Sequence, residues 1–151
     1  MPYVRSLLAI TTATLLIVGV GLANSSDPAA PDRWYTQAQV NSGNQIYHTQ
    51  CATCHGEQAE GQPNWQERGP LGYYPAPPLN GSGHSAQHSL PQMLTTLDSG
   101  GGPLGGTMPS FADVLNDGDK RAVIAYIQSL WPDSVYRMWQ TDSADGAVRG
   151  E

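Results

Sequence analysis

Apolar side chains recur every three or four residues in three stretches of this chain, which is the repeat of an amphipathic helix. The first predicted helix begins at Thr36, an acceptable N-cap, and extends to about residue 50. Its apolar face comprises Val40, Gly43, Ile46 and Tyr47. Glycine in the middle of a helix is unfavourable by about 1 kcal/mol relative to alanine. We therefore expect Gly43 to mark a place where another helix approaches closely.

Two further helices are predicted in the second half of the chain, over residues 89–97 and 116–130. Ser89 and Asn116 are suitable N-caps, and Trp131-Pro132 stops the second of these helices. The apolar stripes are Leu90, Met93, Leu94 and Leu97, and then Val123, Tyr126, Ile127 and Leu130. Met93 belongs to such a stripe, so we expect it to be a core residue.

The beginning of the chain has the pattern of a targeting segment. Arg5 precedes an apolar run over residues 7–23, which ends in Gly21-Leu22-Ala23. Small residues at these positions are read by signal peptidases. We expect residues 1–23 to be a signal peptide cleaved after Ala23, or alternatively an uncleaved N-terminal membrane anchor.

The remaining chain is predicted to contain one folded domain over residues 36–132. Residues 24–35 are interpreted as a linker, in which Trp34 and Tyr35 are expected to pack on the domain. Residues 133–151 form a C-terminal extension. One further helical turn is expected from Val135, Met138 and Trp139, and residues 142–151 are expected to fray.

Composition and charge limit the classes of partner. The 151 residues include 17 glycines, 12 prolines and one phenylalanine, so the bare chain would have a thin core. The formal net charge is −6. Nucleic acid is therefore an unsuitable partner, and a docking protein should present a basic or apolar surface.

The two cysteines of the chain form the motif Cys51-Ala52-Thr53-Cys54-His55. This spacing is the attachment pattern of c-type haem. Two thiols one helical turn apart can reach the two vinyl groups on one porphyrin edge, and the next imidazole can bind the iron. We expect Cys51 and Cys54 to form thioethers and His55 to be an axial ligand. A covalent haem would also supply the apolar mass that the core lacks.

The same residues could also take part in other chemistry. A disulfide between Cys51 and Cys54 would close a loop too small to stabilise much, and a thioredoxin-like pair needs a βαβ setting that is absent from the pattern. A zinc site would combine both cysteines with His84 and His88, across a gap longer than is usual. His84 and His88 with methionines, Met93 and Met108, would be the alternative for copper.

The long glycine- and proline-rich stretch over residues 56–83 has no helical or strand period. A loop of this length in a compact domain usually has a function, and wrapping one face of a haem is such a function. The side chains in it that suit hydrogen bonds to haem propionates are Trp65, Arg68, Tyr73 and Tyr74.

Met108 is the favoured second axial ligand. It follows the glycine-rich residues 100–106 and precedes Pro109, which fixes the chain direction. His84 is the main rival, because it follows a flexible run of glycine and serine. The other candidates, His48, Met93 and Met138, are disfavoured by their positions along the chain.

In these features the chain resembles a class I monohaem c-type cytochrome of the exported bacterial kind. The matching parts are the helix with Gly43 and Tyr47, the haem motif, the segment Met108-Pro109-Ser110-Phe111 and the helix with Tyr126. The resemblance implies an all-α fold whose first and last helices cross, with Gly43 and Tyr47 meeting Tyr126. It also implies His55 and Met108 as axial ligands.

The function implied is single-electron transfer by an iron whose axial positions are both filled, rather than enzyme catalysis. Donor and acceptor would be redox proteins in the bacterial periplasm, and the chain would be soluble or anchored through residues 7–23 to the outer face of the inner membrane. Two alternatives remain open: a subunit of a larger dehydrogenase or oxidase, and a haem enzyme or sensor with a labile sixth ligand.

Overall fold

All of the regular secondary structure in the described part of the chain is helical, and long irregular segments connect the helices. The structure is a computed structural model that describes residues 32–148, with side chains as far as residue 142. The signal peptide or anchor expected at residues 1–23 lies outside the described residues, as does most of the linker. The helices are α1 (Gln37–Gln50), α2 (Ala52–His55), α3 (Leu90–Ser99), α4 (Asp117–Ser129) and α5 (Asp133–Val148). Over residues 32–148 there is no strand, only an isolated bridge between Tyr74 and Gly106. The all-α fold is confirmed.

The three helices predicted from the apolar repeat all begin with a capping box. In each one, the N-cap side chain accepts a hydrogen bond from the backbone N–H three residues later. The side chain of that later residue accepts in return from the N-cap N–H. The three pairs are Thr36 with Gln39, Ser89 with Gln92, and Asn116 with Asp119. Two backbone donors that a helix start leaves unpaired are thereby satisfied at each site.

The close approach expected at Gly43 occurs between α1 and α4. A Cβ atom on Gly43 would lie 1.9 Å from the carbonyl oxygen of Ala122 and 2.9 Å from Cβ of Tyr126. The rings of Tyr47 and Tyr126 have centroids 5.2 Å apart, and Tyr47 is fully buried. The Tyr47 hydroxyl donates to the carbonyl oxygen of Gly56, 2.7 Å away. The helix crossing therefore leads directly into the haem motif.

The C-terminal region departs from the expectation. The expectation of a single further helical turn is wrong, because α5 has 16 residues and extends to Val148. Trp139 packs inward as expected, but the side chain of Met138 is 54 % exposed and the inward position is taken by Tyr136. The sequence of α5 contains few apolar residues, so its apolar repeat is too weak to predict the helix. None of the helices over residues 32–148 is both long enough and apolar enough to cross a bilayer.

A second, aromatic core joins α5 to the linker and to the loop that precedes α3. We call this group the aromatic clasp: Trp34, Tyr35, Trp131, Tyr136 and Trp139. The packing of Trp34 and Tyr35 on the domain is confirmed. The indole N–H of Trp34 donates to Oε1 of Gln128 at 2.6 Å. The guanidinium of Arg33 lies 3.8 Å above the Tyr136 ring.

Candidate haem site

A cavity of about 520 Å³ lies between the helices and the irregular segments. This volume is within the range of about 300–1,000 Å³ that is usual for ligand and cofactor sites. Its walls come from the α1–α2 junction, α3, α4, the residues that join α2 to α3, and the loop before α4. Most of the lining is apolar, and the four residues singled out from the sequence as haem and iron ligands line it together: Cys51, Cys54, His55 and Met108.

The haem motif sits where α1 ends and the single turn of α2 begins. The Cys51 N–H donates to the Tyr47 carbonyl at 2.8 Å, so the last turn of α1 positions the first cysteine. Cys51 is buried and Cys54 is exposed. Burial raises the pKa of the Cys51 thiol to about 11, with a smaller contribution from Cys54. This raised pKa does not favour a redox dithiol, which reacts as a thiolate.

His55 is held in one tautomer by the segment that follows the motif. Its Nδ1 lies 2.9 Å from the carbonyl oxygen of Pro77. A carbonyl only accepts hydrogen bonds, so Nδ1 carries the proton and Nε2 keeps its lone pair. Burial lowers the pKa of His55, against the smaller opposing effect of this hydrogen bond. A neutral imidazole with a free Nε2 is the form that binds iron.

The glycine-rich residues before Met108 fold back on Met108 itself. The Gly101 N–H donates to the Met108 carbonyl at 2.9 Å. A Cβ on Gly100 would lie 2.6 Å from that carbonyl oxygen, and one on Gly101 would lie 3.0 Å from Cβ of Met108. Phe111 N–H donates to the Leu97 carbonyl at 2.8 Å, which ties the segment to α3. The glycines thus let a tight loop hold Met108 at the cavity wall.

Three rival ligands also reach the cavity wall: Met93, His84 and His88. Lining alone therefore does not select Met108. His48 is different, because it pairs with Glu57 at 2.9 Å on the surface. Among the described side chains, which end at residue 142, no group of three His, Cys, Asp or Glu residues is arranged to hold a metal ion. The zinc site that combined both cysteines with His84 and His88 thus has no support from the described geometry.

Of the four residues considered for propionate contacts, two line the cavity and two do not. Trp65 and Tyr74 are part of the wall. Arg68 instead donates to the Gly72 carbonyl and lies 4.5 Å above the Tyr74 ring, and Tyr73 is 52 % exposed. Sequence reasoning missed Pro77 as the partner of His55, since any backbone carbonyl can play that role. It also missed Ser85, a wall residue that no motif distinguishes.

The cavity fits a haem by its chemistry. A flat, largely apolar macrocycle suits an apolar lining. The wall supplies three imidazoles, of which His55 is the one oriented by Pro77, and two methionine thioethers, and these are ligand types that haem iron accepts. A comparison of the sequence with models of known protein families supports this cofactor. The sequence profile described as cytochrome c oxidase, cbb3-type, subunit III, matches residues 38–127.

The chain belongs to this family. It is a class I monohaem c-type cytochrome, its cofactor is a covalently bound haem c, and it acts in electron transfer. The resemblance inferred from the motif and helix pattern is thereby confirmed. No curated protein and no solved structure gives a significant match. The matched residues of this cytochrome include α1 to most of α4 and end before α5.

Proposed function

We propose that this cytochrome transfers single electrons through a haem attached to Cys51 and Cys54, with His55 and Met108 as its two axial iron ligands. The observation that carries the proposal is the convergence of these four residues on one apolar cavity. They come from two segments more than fifty residues apart in the sequence. Backbone hydrogen bonds hold each segment in its own wall: the Cys51 N–H donates to the Tyr47 carbonyl, and the Gly101 N–H donates to the Met108 carbonyl.

The protein's contribution is positioning and exclusion of water. Bound haem supplies a one-electron ferric–ferrous couple, and a methionine sulfur favours the ferrous state. Pro77 orients the His55 ring, and the glycine loop orients Met108. With both ligands fixed, no site remains for a substrate on the metal. Electrons then pass at the exposed edge near Cys54, without bond formation.

Donor and acceptor are proposed to be redox proteins of the bacterial periplasm. Residues 1–23 would direct export and be cleaved, or would remain as an anchor at the outer face of the inner membrane. The net charge of −6 favours partners with a basic or apolar docking surface.

A second candidate is favoured by the family match. The family description names a subunit of a cbb3-type cytochrome c oxidase. In that role the chain would pass electrons within a complex rather than diffuse between partners. Purification of the tagged native protein from gently solubilised membranes separates the two roles. A stoichiometric oxidase or dehydrogenase supports the subunit, and a monodisperse monohaem protein supports the carrier.

Replacement of Met108 by alanine tests the ligand assignment. The variant should lose the charge-transfer band between sulfur and ferric iron, have a lower midpoint potential and bind added imidazole. Met93→Ala, His84→Ala and the exposed Met138→Ala serve as controls and should retain the band. Haem staining after denaturing electrophoresis tests attachment in parallel, because Cys51→Ala with Cys54→Ala should abolish the stain.

Two results would contradict this assignment. One is a wild-type band in Met108→Ala together with altered ligation in His84→Ala or Met93→Ala. The other is a high-spin ferric spectrum of the wild-type protein, which would favour the enzyme or sensor with a labile sixth position.

A further inference from the structure

One corner of the haem cavity gathers polar side chains that have no partner in the protein. It is formed by the residues just before α3 and by one residue of the long loop: Trp65, His84, Ser85 and His88. The ring of His84 stacks on Trp65 with centroids 5.2 Å apart and meets the ring of His88 at 5.3 Å. The three rings thus form a contiguous row on the wall, and Ser85, the residue next to His84, completes this cluster.

The absence of partners distinguishes this cluster from chemically similar residues elsewhere. Among the side chains of residues 32–142, two buried polar atoms have no hydrogen bond, and of these only Ser85 Oγ lies at the cavity. The indole N–H groups of Trp34, Trp131 and Trp139 all donate to protein oxygens. The indole N–H of Trp65 finds no acceptor in the same described region.

The histidines of the described chain also differ in whether a ring nitrogen is hydrogen-bonded to the protein. His48 and His55 each have a ring nitrogen bonded to a protein oxygen. Across residues 32–148, neither ring nitrogen of His84 or His88 has such a partner. Buried polar atoms are nearly always hydrogen-bonded, so the unpaired Ser85 Oγ indicates a partner that belongs to a bound group. Trp65, His84 and His88 are half-buried at the same wall, and their unpaired N–H groups would need the same partner once that group fills the cavity.

The haem brings such acceptors. It carries two propionate carboxylates on the edge opposite the one that forms thioethers, so their partners must come from a segment other than the haem motif. An ionised carboxylate buried without partners costs several kcal/mol. No lysine or arginine side chain of residues 32–148 is among those lining this cavity. Hydrogen bonds from neutral donors are therefore the available compensation.

We propose that Trp65, His84, Ser85 and His88 form the binding site for the haem propionates. Each supplies one donor group: an indole N–H, two imidazole N–H groups and a hydroxyl. Burial, and more weakly His88, lowers the pKa of His84, which favours its neutral ring, and that ring still carries one donor N–H. The proposal rests on the proposed haem attachment and goes further, because it assigns the orientation of the macrocycle in the cavity.

The predicted electrochemical effect has a definite sign. Oxidation adds a positive charge to the iron, and an uncompensated propionate charge stabilises that state. Removing a donor from a propionate therefore lowers the midpoint potential. The frequency of the propionate bending mode in the resonance Raman spectrum also depends on the hydrogen bonds to the carboxylate. The two readouts are independent of the axial ligand bands.

Ser85→Ala in the intact holoprotein is the primary test. It should lower the midpoint potential and shift the propionate bending band, with the charge-transfer band unchanged. Ser85→Thr, which keeps a hydroxyl, should restore both values. Thr95→Ala is the matched control, because Thr95 lies on the exposed side of α3, away from the cavity lining, and donates to the Pro91 carbonyl at 3.0 Å. Its potential and Raman band should equal those of the wild type.

Two outcomes would overturn the proposal: wild-type potential and bands in Ser85→Ala, or an equal shift in Thr95→Ala. If Ser85→Ala does not accumulate as holoprotein, Trp65→Phe keeps the stacking and removes the N–H, and the same shifts are required of it. Wild-type values in Trp65→Phe would then reject the site. Failure of haem staining in the wild type would instead reject the proposed function, so the two failures are distinguishable.

Discussion

Two walls of the haem cavity are built in opposite ways. The motif wall, formed by α1, α2 and α4, is held by helical hydrogen bonds and by the crossing at Gly43. The connector wall, residues 56–88, has only a short 3₁₀ turn, and its key contacts span long distances along the chain. His55 reaches Pro77 across 22 residues, Trp131 reaches Leu79 across 52, and Trp139 reaches His88 across 51.

The difference shows where the cofactor's environment is decided. The motif wall supplies the residues proposed to attach the haem, and the hydrogen bonds within its helices are regular and local. The connector wall supplies the second contact of His55 and the unpaired donor cluster, and it is positioned by the aromatic clasp. Most of the clasp lies beyond residue 127, where the family match ends. Two of the hydrogen bonds that position the connector wall therefore come from residues outside the matched range.

The largest effect is expected from Gly43→Ala, which tests the motif wall. Alanine would favour an isolated helix by about 1 kcal/mol. Here its Cβ would lie 1.9 Å from the Ala122 carbonyl oxygen, so the helices must separate. We expect the free energy of unfolding to fall by about 3 kcal/mol or more.

Guanidinium unfolding of the holoprotein measures this loss. Gly102→Ala is the matched control, because a Cβ there has no atom within 4 Å apart from its chain neighbours. It should change the stability by less than about 0.5 kcal/mol. Equal stability of the two variants would show that the crossing is more compliant than the structure indicates.

Gly61→Ala tests the connector wall by the same substitution. Gly61 has φ +74°, and its Cβ would lie 2.4 Å from the Pro78 nitrogen and 2.6 Å from the Pro77 carbonyl carbon. Gly72 has φ +81° with nothing near its Cβ position. Both alanines carry the left-handed strain of about 1–2 kcal/mol. Gly61→Ala should cost at least about 1 kcal/mol more, from the clash alone.

The comparison of these two variants isolates the contact with Pro77, whose carbonyl orients His55. Gly61→Ala should therefore also alter the low-spin haem spectrum, whereas Gly72→Ala should leave it unchanged. Identical unfolding curves for the pair would mean that the connector adapts freely and does not constrain His55.

Trp139→Phe tests whether the clasp positions the connector. The change keeps an aromatic ring in the core and removes the N–H that donates to the His88 carbonyl at 2.8 Å. We expect a loss of about 1–2 kcal/mol, because the carbonyl remains largely shielded. Met138→Ala, on the exposed face of the same helix, should change the stability by less than about 0.5 kcal/mol. A larger loss of stability in Met138→Ala than in Trp139→Phe would contradict the assignment of the face by which α5 contacts the domain.

The sequence allowed prediction of the motif wall but not of the connector. Capping boxes at Thr36 and Asn116, and the glycine at position 43, are local signals with a direct structural meaning. The partners of Pro77 and His88 are chosen by tertiary packing, and neither residue has a local pattern that announces its partner. For the same reason Arg68 and Tyr73 were plausible propionate contacts in sequence but lie away from the cavity wall.

Prediction of α5 failed for a related reason. Only Tyr136 and Trp139 are buried among the residues of this helix whose side chains are described, so its apolar stripe is too short to show a period. Its place is determined by contacts with the linker, which include Arg33 over the Tyr136 ring.

The smallest effect is expected from Asp133→Asn, at the start of α5. Asp133 pairs with Arg33, and the two side chains are 49 % and 22 % exposed. Exposed pairs of this kind contribute less than about 1 kcal/mol and are screened by salt. Asp133→Asn should therefore destabilise the holoprotein slightly at low salt and not at all at 1 M salt, a condition of strong screening.

Arg33→Ala provides the contrast, because Arg33 also donates to the Gln128 carbonyl at 3.2 Å and lies over Tyr136. Those contacts remain in Asp133→Asn and are lost in Arg33→Ala. The arginine variant should thus keep a loss of about 1–2 kcal/mol at high salt. If both variants have the wild-type free energy of unfolding in 1 M salt, α5 is held to the linker by charge rather than by packing. The aromatic clasp would then not order the connector wall.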